Sequence, residues 1–372
     1  MAIDAKVRQL KKEGRSIIDF GAGQLDFNTP DNIKQAAKEA INNNFSRYTP
    51  SGGIPELRDA AAKKFGRDNK INYDASEVII SCGAKHALYN ASMALLNEGD
   101  EVILPSPYWA SYSEMINMAQ AKAVICKTDE MFRIAIEDIK DKITGKTRML
   151  VLNSPNNPTG KVLESAELGK IAELAVKNNF YVVSDEVYEF FIYGAREHLS
   201  IASLNDEIKK LTLTVNSVSK TYAMTGWRVG FCGAEKKIIN IMEDMQSHSS
   251  NPSSIAQMAA LEALNGPQDG VFRMVDALNE RRKFMYKRLN EINGISCLEP
   301  QGAFYVFVDI KESKMSSMDF ASKLLSDFLV AVVPGIAFGS DNHVRLSYAC
   351  SLEDIEKGMD RVEKFVEGNN KK

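Results

Sequence analysis

Residues 149–185 read MLVLNSPNNPTGKVLESAELGKIAELAVKNNFYVVSD and contain one complete unit of the predicted fold. Two apolar runs, Met149 to Asn153 and Phe180 to Asp185, predict buried strands. Between them, apolar residues recur at three- and four-residue spacing from Glu164 to Lys177, which predicts a helix. Apolar strands that alternate with helices are typical of a parallel sheet covered by helices. The sequence therefore predicts an α/β fold.

Similar patterns lie on both sides of this unit. Further strands are predicted at Val78–Ser81, Glu101–Leu104, Leu211–Val215 and Val229–Cys232, and further helices at Lys85–Leu96, Lys236–Gln246 and Ser254–Leu264. After about Gly270 the pattern changes to a long charged helix and short β-like runs, which indicates a smaller α+β domain. We therefore expect a large domain with a mostly parallel sheet at residues 27–270, and a small domain formed by residues 1–26 and 271–372.

Composition excludes several classes of protein. The 372 residues suit two domains, and 44% hydrophobic with 26% charged residues is typical of a globular protein. A net charge of -3, with both signs interspersed, argues against a nucleic-acid partner. The sequence shows neither a signal-peptide core nor about 20 continuous apolar residues, so we expect no secretion and no membrane span. The five cysteines and four histidines are scattered, which predicts no metal and a reducing, cytoplasmic location.

Polar loops follow several of the predicted strands. Because ligands of open α/β sheets bind beyond the carboxyl ends of the strands, these loops form the candidate site. An Asn- and Pro-rich loop occupies residues 153–160, and Asp185 ends the following strand. Lys220 comes soon after the strand that ends at Val215. Residues 81–85 join a strand to a helix, where backbone N–H groups and the helix dipole can hold a phosphate.

Together and in this order, the loops carry a specific combination of motifs. The motifs are Ser46-Arg47-Tyr48, Gly83-Ala84-Lys85, Asn157-Pro158-Thr159-Gly160, Asp185-Glu186-Val187-Tyr188, Ser217-Val218-Ser219-Lys220, Gly226-Trp227-Arg228-Val229-Gly230 and Arg345-Leu346-Ser347. In these motifs the chain resembles the fold-type I pyridoxal-phosphate enzymes and, within them, the class I and II aminotransferases of the aspartate aminotransferase superfamily. The resemblance implies an enzyme that binds pyridoxal 5'-phosphate and moves an amino group from an L-amino acid to a 2-keto acid by a ping-pong mechanism.

The resemblance assigns the chemistry of the cofactor to four residues. Lys220 would form the Schiff base with the cofactor aldehyde and, once a substrate amine displaces it, carry a proton between substrate and cofactor. Asp185 would pair with the pyridine nitrogen and keep it protonated, which makes the ring an electron sink. Asn157 and Tyr188 would hydrogen-bond the ring oxygen and lower the pKa of the Schiff base. Asn157 would also border the substrate.

Phosphate binding falls, by the same resemblance, to Arg228, to Ser217 and to the helix start Gly83-Ala84-Lys85 through its backbone N–H groups. Tyr48 would reach the phosphate from a partner subunit, which implies a homodimer. Trp109 would stack on the cofactor ring and border the substrate, but the adjacent Tyr108 is an alternative.

Three positions bear on the choice of substrate. Arg345 resembles the arginine whose planar fork binds the substrate α-carboxylate, and Gly23 matches a glycine whose backbone approaches the same group. In one branch of the family, a lysine in the position of Lys85 binds the distal carboxylate of acidic amino acids. The arginine that other aspartate aminotransferases use is missing, since no Arg or Lys occurs between Gln246 and Arg273. Lys85 therefore favours aspartate, with 2-oxoglutarate as the acceptor.

Alternatives to this function stay open from the sequence. Lys220, Asp185 and the same cofactor also serve aminotransferases for aromatic or neutral amino acids, and they serve β-elimination lyases. Lys85 alternatively neutralises the cofactor phosphate or faces solvent, which would leave the substrate undefined. The non-enzyme alternative is a ligand-sensing protein on the same fold. The complete set of motifs, without an appended DNA-binding domain, argues against it.

Overall fold

The computed structural model describes residues 2–370. The strands are β1 (Ile18–Asp19), β2 (Val78–Ser81), β3 (Glu101–Pro105), β4 (Lys122–Cys126), β5 (Thr147–Asn153), β6 (Tyr181–Asp185), β7 (Thr212–Ser217), β8 (Gly230–Gly233), β9 (Ser296–Cys297), β10 (Tyr305–Asp309), β11 (Val330–Ala331), β12 (Val333–Pro334) and β13 (His343–Ser347). Within the described residues, the largest sheet has seven strands in the order β2-β8-β7-β6-β5-β3-β4. Strand β8 runs antiparallel to both its neighbours, and the other pairs are parallel.

Helices connect the strands of this sheet and also pack on the strands outside it. They are α1 (Ala2–Lys12), α2 (Asp31–Asn42), α3 (Pro55–Lys64), α4 (Ala84–Leu95), α5 (Ser111–Met118), α6 (Ile136–Lys142), α7 (Ser165–Asn178), α8 (Asp206–Leu211), α9 (Val218–Thr221), α10 (Lys236–Ser249), α11 (Ser254–Asn265), α12 (Asp269–Glu291), α13 (Ser317–Phe328) and α14 (Leu352–Asn370). A π-helical turn, Phe65–Asn69, extends α3. Among residues 2–370, no helix combines the length and the apolar character that a bilayer span requires.

The large sheet is buried on both faces, and most positions in the middle of β3, β5 and β6 are apolar. In β5, Leu150 packs in the cluster that contains α7, whereas Val151 packs in the cluster that contains α4 and α10. Successive side chains of a strand point to opposite faces, so helices on both sides are needed to cover them. Polar residues end three neighbouring strands, since β5, β6 and β7 finish with Asn153, Asp185 and Ser217.

Two smaller sheets use both ends of the chain. One is antiparallel, in the order β12-β13-β10-β9. In the other, β1 pairs in parallel with β11, so that Ile18 lies opposite Val330 and Asp19 opposite Ala331. This arrangement brings the first residues of the chain beside its last third. A small domain of residues 1–26 and 271–372 would require such pairing, and its boundaries stay a prediction.

The predicted fold class is confirmed, since a mainly parallel sheet flanked by helices forms the centre of the molecule. Strand β4 was not predicted from the sequence. This strand lies at the edge of the sheet and exposes Lys122 and Ile125, although residues 123–126 form an apolar run. The strand predicted to end at Val215 continues to Ser217, and Lys220 lies in the short helix α9.

Candidate active site

A cleft of about 390 Å³ opens where β5, β6 and β7 end. Its walls are formed by Gly23, Ala84, Lys85, Leu88, Trp109, Tyr112, Asn153, Asn157, Asp185, Val187, Tyr188, Ser217, Lys220, Arg228, Tyr305 and Arg345. The cleft therefore brings together the residues singled out from the sequence, with two exceptions. Gly83 lies just behind the wall, and Tyr48 is 99% exposed on the surface.

Lys220 lies on α9, a one-turn helix whose start is capped by the hydroxyl of Ser217. The Lys220 amine donates a hydrogen bond to the carbonyl oxygen of Gly23 at 2.5 Å. Burial, together with the nearby cations Arg345 and Arg228, lowers the pKa of the Lys220 amine to about 8. Much of the amine is therefore neutral at mildly alkaline pH, and the neutral amine is the form that acts as a nucleophile or base.

Asp185 ends β6 as a buried carboxylate. Its Oδ2 accepts a hydrogen bond from the hydroxyl of Tyr112 at 2.6 Å, and its Oδ1 accepts one from the N–H of Val187 at 3.3 Å. Burial raises the pKa of Asp185 to about 6, although both hydrogen bonds act in the opposite direction. The Asp185 carboxylate would therefore gain from a cationic partner in the cleft.

Arg345 extends from β13 into the cleft as a buried cation. One terminal nitrogen donates to Asn157 Oδ1 at 2.8 Å, and the other donates to the carbonyl oxygen of Gly21 at 2.9 Å. Among residues 2–370, its buried Nε–H has no hydrogen-bond partner. A buried guanidinium with an unused donor gains free energy from an anion. Arg345 is therefore suited to bind a carboxylate.

The start of α4 and the Arg228 side chain approach each other closely. Gly83 has a φ of +83°, and a Cβ at this position would lie 2.4 Å from the Arg228 guanidinium. A Cβ at Gly230 would lie 2.3 Å from the backbone nitrogen of Ala84. Only glycines allow this approach. Backbone N–H groups at the helix start, the guanidinium and the hydroxyl of Ser217 can together bind a dianion.

Trp109 and Tyr108 occupy different places. Trp109 lines the cleft and meets Tyr112 edge to face, with ring centroids 5.4 Å apart. Tyr108 lies beside Gly339 and lines a separate pocket. Of the two aromatic residues, Trp109 is therefore the one that can contact a ligand in the cleft. The Lys85 amine lies 4.8 Å from the centroid of the Trp109 ring.

Two polar residues of the cleft, Tyr112 and Tyr305, were not predicted from the sequence. The Tyr112 hydroxyl binds Asp185, and the Tyr305 hydroxyl lies 3.0 Å from that of Tyr188. Tyr112 could have been found, because it follows Trp109 by three residues at the start of a helix. Tyr305 offers no such signal, since it lies inside an apolar run.

A buried polar cluster lies on the other side of the segment Asp185–Glu189. We name it the back cluster, and it consists of Lys64, Asn69, Glu186, Glu189, His198 and Ser200. Glu186, Glu189 and His198 place potential ligand atoms within 4.8 Å of one another, as in a metal site. However, the Lys64 amine pairs with Glu189, and Asn69 donates to Glu186 and Glu189 at 2.9 and 2.5 Å. Groups of the chain itself therefore satisfy these carboxylates.

Comparison with known proteins identifies one family. The family Aminotransferase class I and II matches residues 15–362. The aspartate aminotransferase of Bacillus sp. (strain YM-2) is 45% identical, over 98% of this chain and 95% of its own. The structure of an aspartate aminotransferase from Rhizobium meliloti superposes with a TM-score of 0.95 at 39% identity, and covers 98% of this chain and 95% of that one.

An aromatic aminotransferase from Pyrococcus horikoshii OT3 superposes almost as well. Its TM-score is 0.93 at 39% identity, with 98% of this chain and 99% of that chain covered. The range matched by the family model, residues 15–362, includes every residue of the cleft wall. The enzyme class predicted from the motifs is therefore confirmed, and the chain belongs to the class I and II aminotransferases.

Proposed function

We propose that the cleft binds pyridoxal 5'-phosphate, held covalently by Lys220. When bound, this cofactor withdraws electrons from the substrate and so makes its Cα proton acidic. The residues present fit such a group. The tight approach of Gly83 and Arg228 suits its phosphate, and the buried Asp185 carboxylate suits a protonated ring nitrogen. The Lys220 amine, with its pKa lowered to about 8, suits an aldehyde.

The other residues predicted from the sequence also have roles in the proposed binding of the cofactor. Asn157 and Tyr188 bind the ring oxygen, and Trp109 stacks on the face of the ring. Ser217 and the backbone N–H groups of Ala84 and Lys85 add to the binding of the phosphate. The position of each side chain on the wall of one cleft supports these assignments.

The function that the site supports best is the transfer of an amino group from aspartate to 2-oxoglutarate. Arg345 binds the α-carboxylate, for which its unused Nε–H is a further donor, and the backbone of Gly23 borders this position. Once displaced by the substrate amine, the Lys220 amine would take the proton from Cα and carry it to the cofactor. The first keto acid leaves before the second one binds, which gives ping-pong kinetics.

The choice of aspartate depends on one observation, the position of Lys85 in the same cleft as Arg345. Two cations in one cleft fit a substrate that carries two carboxylates. The aspartate aminotransferases among the relatives support this choice. An aromatic amino acid is the second candidate, because Trp109 and Tyr305 offer ring surfaces and one structural neighbour is an aromatic aminotransferase. In that case Lys85 would serve the phosphate alone.

The protein is also proposed to be a homodimer. Tyr48 is 99% exposed in the single chain, and Ile41 and Phe45 nearby are exposed as well. Exposed apolar and aromatic side chains close together are typical of interfaces. Tyr48 would then complete the phosphate site of the partner subunit. The two domains are proposed as residues 27–270, and residues 1–26 with 271–372. The five free cysteines support a cytoplasmic location.

An absorption spectrum tests the cofactor and the reaction together. We expect a visible band after incubation with pyridoxal 5'-phosphate, which aspartate removes and 2-oxoglutarate restores. If no band forms, the proposed role of Lys220 is wrong. A band that responds to tyrosine and not to aspartate would select the aromatic alternative.

Steady-state kinetics of Lys85→Ala test the substrate. We expect KM for aspartate to rise about tenfold or more, because a charge-assisted hydrogen bond is lost, and KM for alanine to change less than about twofold. Lys122→Ala, at an exposed lysine of β4, is the matched control and should change neither value. Equal effects of Lys85→Ala on both substrates would contradict the role of Lys85.

A further inference from the structure

Tyr305 contacts two of the proposed site residues at once. Its hydroxyl lies 3.0 Å from the hydroxyl of Tyr188, and its ring centroid lies 4.2 Å from the guanidinium carbon of Arg345. The residue is 1% exposed and belongs to β10, whereas Tyr188 follows β6 and Arg345 lies on β13. Tyr305 therefore couples three segments that are distant in the sequence.

The contact between the two hydroxyls determines which group can accept the hydrogen bond of Tyr188. A phenol carries one proton. If Tyr188 gives that proton to the ring oxygen of the cofactor, the bond between the two hydroxyls must have Tyr305 as its donor. Among residues 2–370, the Tyr305 hydroxyl bonds to Tyr188 and to no other group, so its proton is available for this bond. A hydroxyl that accepts a hydrogen bond donates a stronger one, because neighbouring bonds polarise each other.

The ring contact fixes the position of Arg345. Strands β10 and β13 are antiparallel with Phe307 opposite Arg345, so Tyr305 is the diagonal neighbour of Arg345 on the same face. The ring of Phe338 also contacts the guanidinium, at 5.1 Å. Two aromatic rings attract the cation and restrict its orientation.

We propose that Tyr305 is a positioning residue with two roles. Its hydroxyl directs the proton of Tyr188 toward the cofactor, and its ring holds the Arg345 guanidinium in place for the substrate carboxylate. The two roles can be separated, because phenylalanine keeps the ring and loses the hydroxyl, whereas leucine loses both. Since this assignment rests on the proposed function, its test uses protein that carries pyridoxal 5'-phosphate.

Tyr305→Phe tests the hydroxyl. We expect the pH at which the visible band of the bound cofactor changes to rise by about 0.3 to 0.6 unit, because a weaker bond from Tyr188 stabilises the ionised ring oxygen less well. The dissociation constant of maleate, a dicarboxylate without an amino group, should stay within about twofold of the wild-type value. Spectrophotometric titrations with pH and with maleate measure both quantities.

Tyr305→Leu tests the ring. The same shift of the band is expected, and maleate should bind about five- to tenfold more weakly. Tyr305→Met carries the same test if the leucine variant does not fold. Tyr348→Phe is the matched control, because Tyr348 is buried, donates to the carbonyl oxygen of Ala303 at 3.1 Å and lies outside the cleft wall. Neither quantity should change in the control.

The outcomes separate the two roles. A band that does not shift in Tyr305→Phe overturns the hydroxyl role, and unchanged maleate binding in Tyr305→Leu overturns the ring role. Equal changes in Tyr348→Phe would assign the effects to packing and overturn both. If the wild-type protein shows no visible band, the proposed function itself fails before any variant is compared.

Discussion

The segment Asp185–Glu189 separates two polar regions, the cleft on one side and the back cluster on the other. Asp185 and Tyr188 line the cleft, whereas Glu186 and Glu189 belong to the back cluster. Both regions contain buried charges within a few residues of each other. They differ in how completely those charges are paired.

The adjacent carboxyl groups of Asp185 and Glu186 show this difference. Burial acts to raise the pKa of both. Around Glu186 it is outweighed by His198 and by hydrogen bonds such as that from Ser200, so the pKa of Glu186 is lowered. Around Asp185 burial outweighs the bond from Tyr112, and the pKa rises to about 6. A buried charge whose partners belong to the chain has little to gain from a ligand, whereas one that is short of partners is available to a ligand.

The largest expected effect concerns activity and the cleft. Lys220→Ala should lower kcat by at least about 10²–10⁴-fold, because the residue proposed to transfer the proton is lost. The free energy of unfolding of the cofactor-free protein should stay within about 1 kcal/mol, since burial disfavours the charged Lys220 amine. Rate assays and urea unfolding measure the two quantities. Near-normal turnover would contradict the role of Lys220.

In the back cluster, the expected effect is on stability. Lys64→Met should lower the free energy of unfolding by about 3–5 kcal/mol, because it leaves the buried Glu189 without its cation. The matched control is Lys63→Met on the same helix. Lys63 pairs with Asp59, but its side chain is 72% exposed, and the expected change is within about 0.5 kcal/mol. Equal urea unfolding curves for the two variants would show that the buried pair of Lys64 contributes no more stability than the exposed pair of Lys63.

Asp185→Asn should have the opposite effect on stability. The folded pKa of about 6 lies above the ordinary value of 3.8, so the stability associated with this carboxyl is fully present below pH 3.8 and is lost as the pH rises through about 6. At pH 8 the cofactor-free variant should therefore be more stable than the wild type by about 1–3 kcal/mol, although less active. The gain should vanish near pH 4. Urea unfolding at both pH values measures the difference in stability, and a variant less stable than the wild type at pH 8 would contradict the prediction.

The smallest expected effect comes from His198. The Glu186 carboxylate outweighs burial and raises the pKa of His198 above 6.5, while Lys64 acts in the opposite direction. The stability from the charged imidazole is therefore full below pH 6.5 and is lost as the pH rises through the folded pKa. His198→Gln should cost about 1–2 kcal/mol at pH 6 and less at pH 9. His248→Gln, at an exposed histidine, should show no such difference. A cost of His198→Gln that is independent of pH would show that folding does not raise the pKa of His198.

The cleft could be predicted from the sequence far better than the back cluster. Asp185, Asn157 and Lys220 lie at or just after the ends of strands. There a polar residue interrupts the apolar pattern, and the topology brings the strand ends together. The back cluster offers no such interruption. Lys63 and Lys64 are adjacent and identical in type, yet one side chain is 72% exposed and the other 2%. Packing of α3 against the rest of the molecule decides which of them is buried.

The register of strands limits prediction in the same way. The sequence indicates a strand around Tyr305, but it does not reveal which of its aromatic side chains reaches the cleft. That depends on the pairing of β10 with β13, which places Phe307 opposite Arg345 and Tyr305 diagonal to it.

The pairing of β1 with β11 joins two strands that are synthesised at very different times during translation. About 300 residues separate the two strands, which corresponds to roughly 15–60 seconds of synthesis. The last strand of the large sheet ends at Gly233. All strands around Lys220 are therefore synthesised long before β11, the partner of β1. Arg345 leaves the ribosome later still. A chain released early would keep Lys220 but lack Arg345, so the proposed site would be complete only after the last part of the chain has been synthesised.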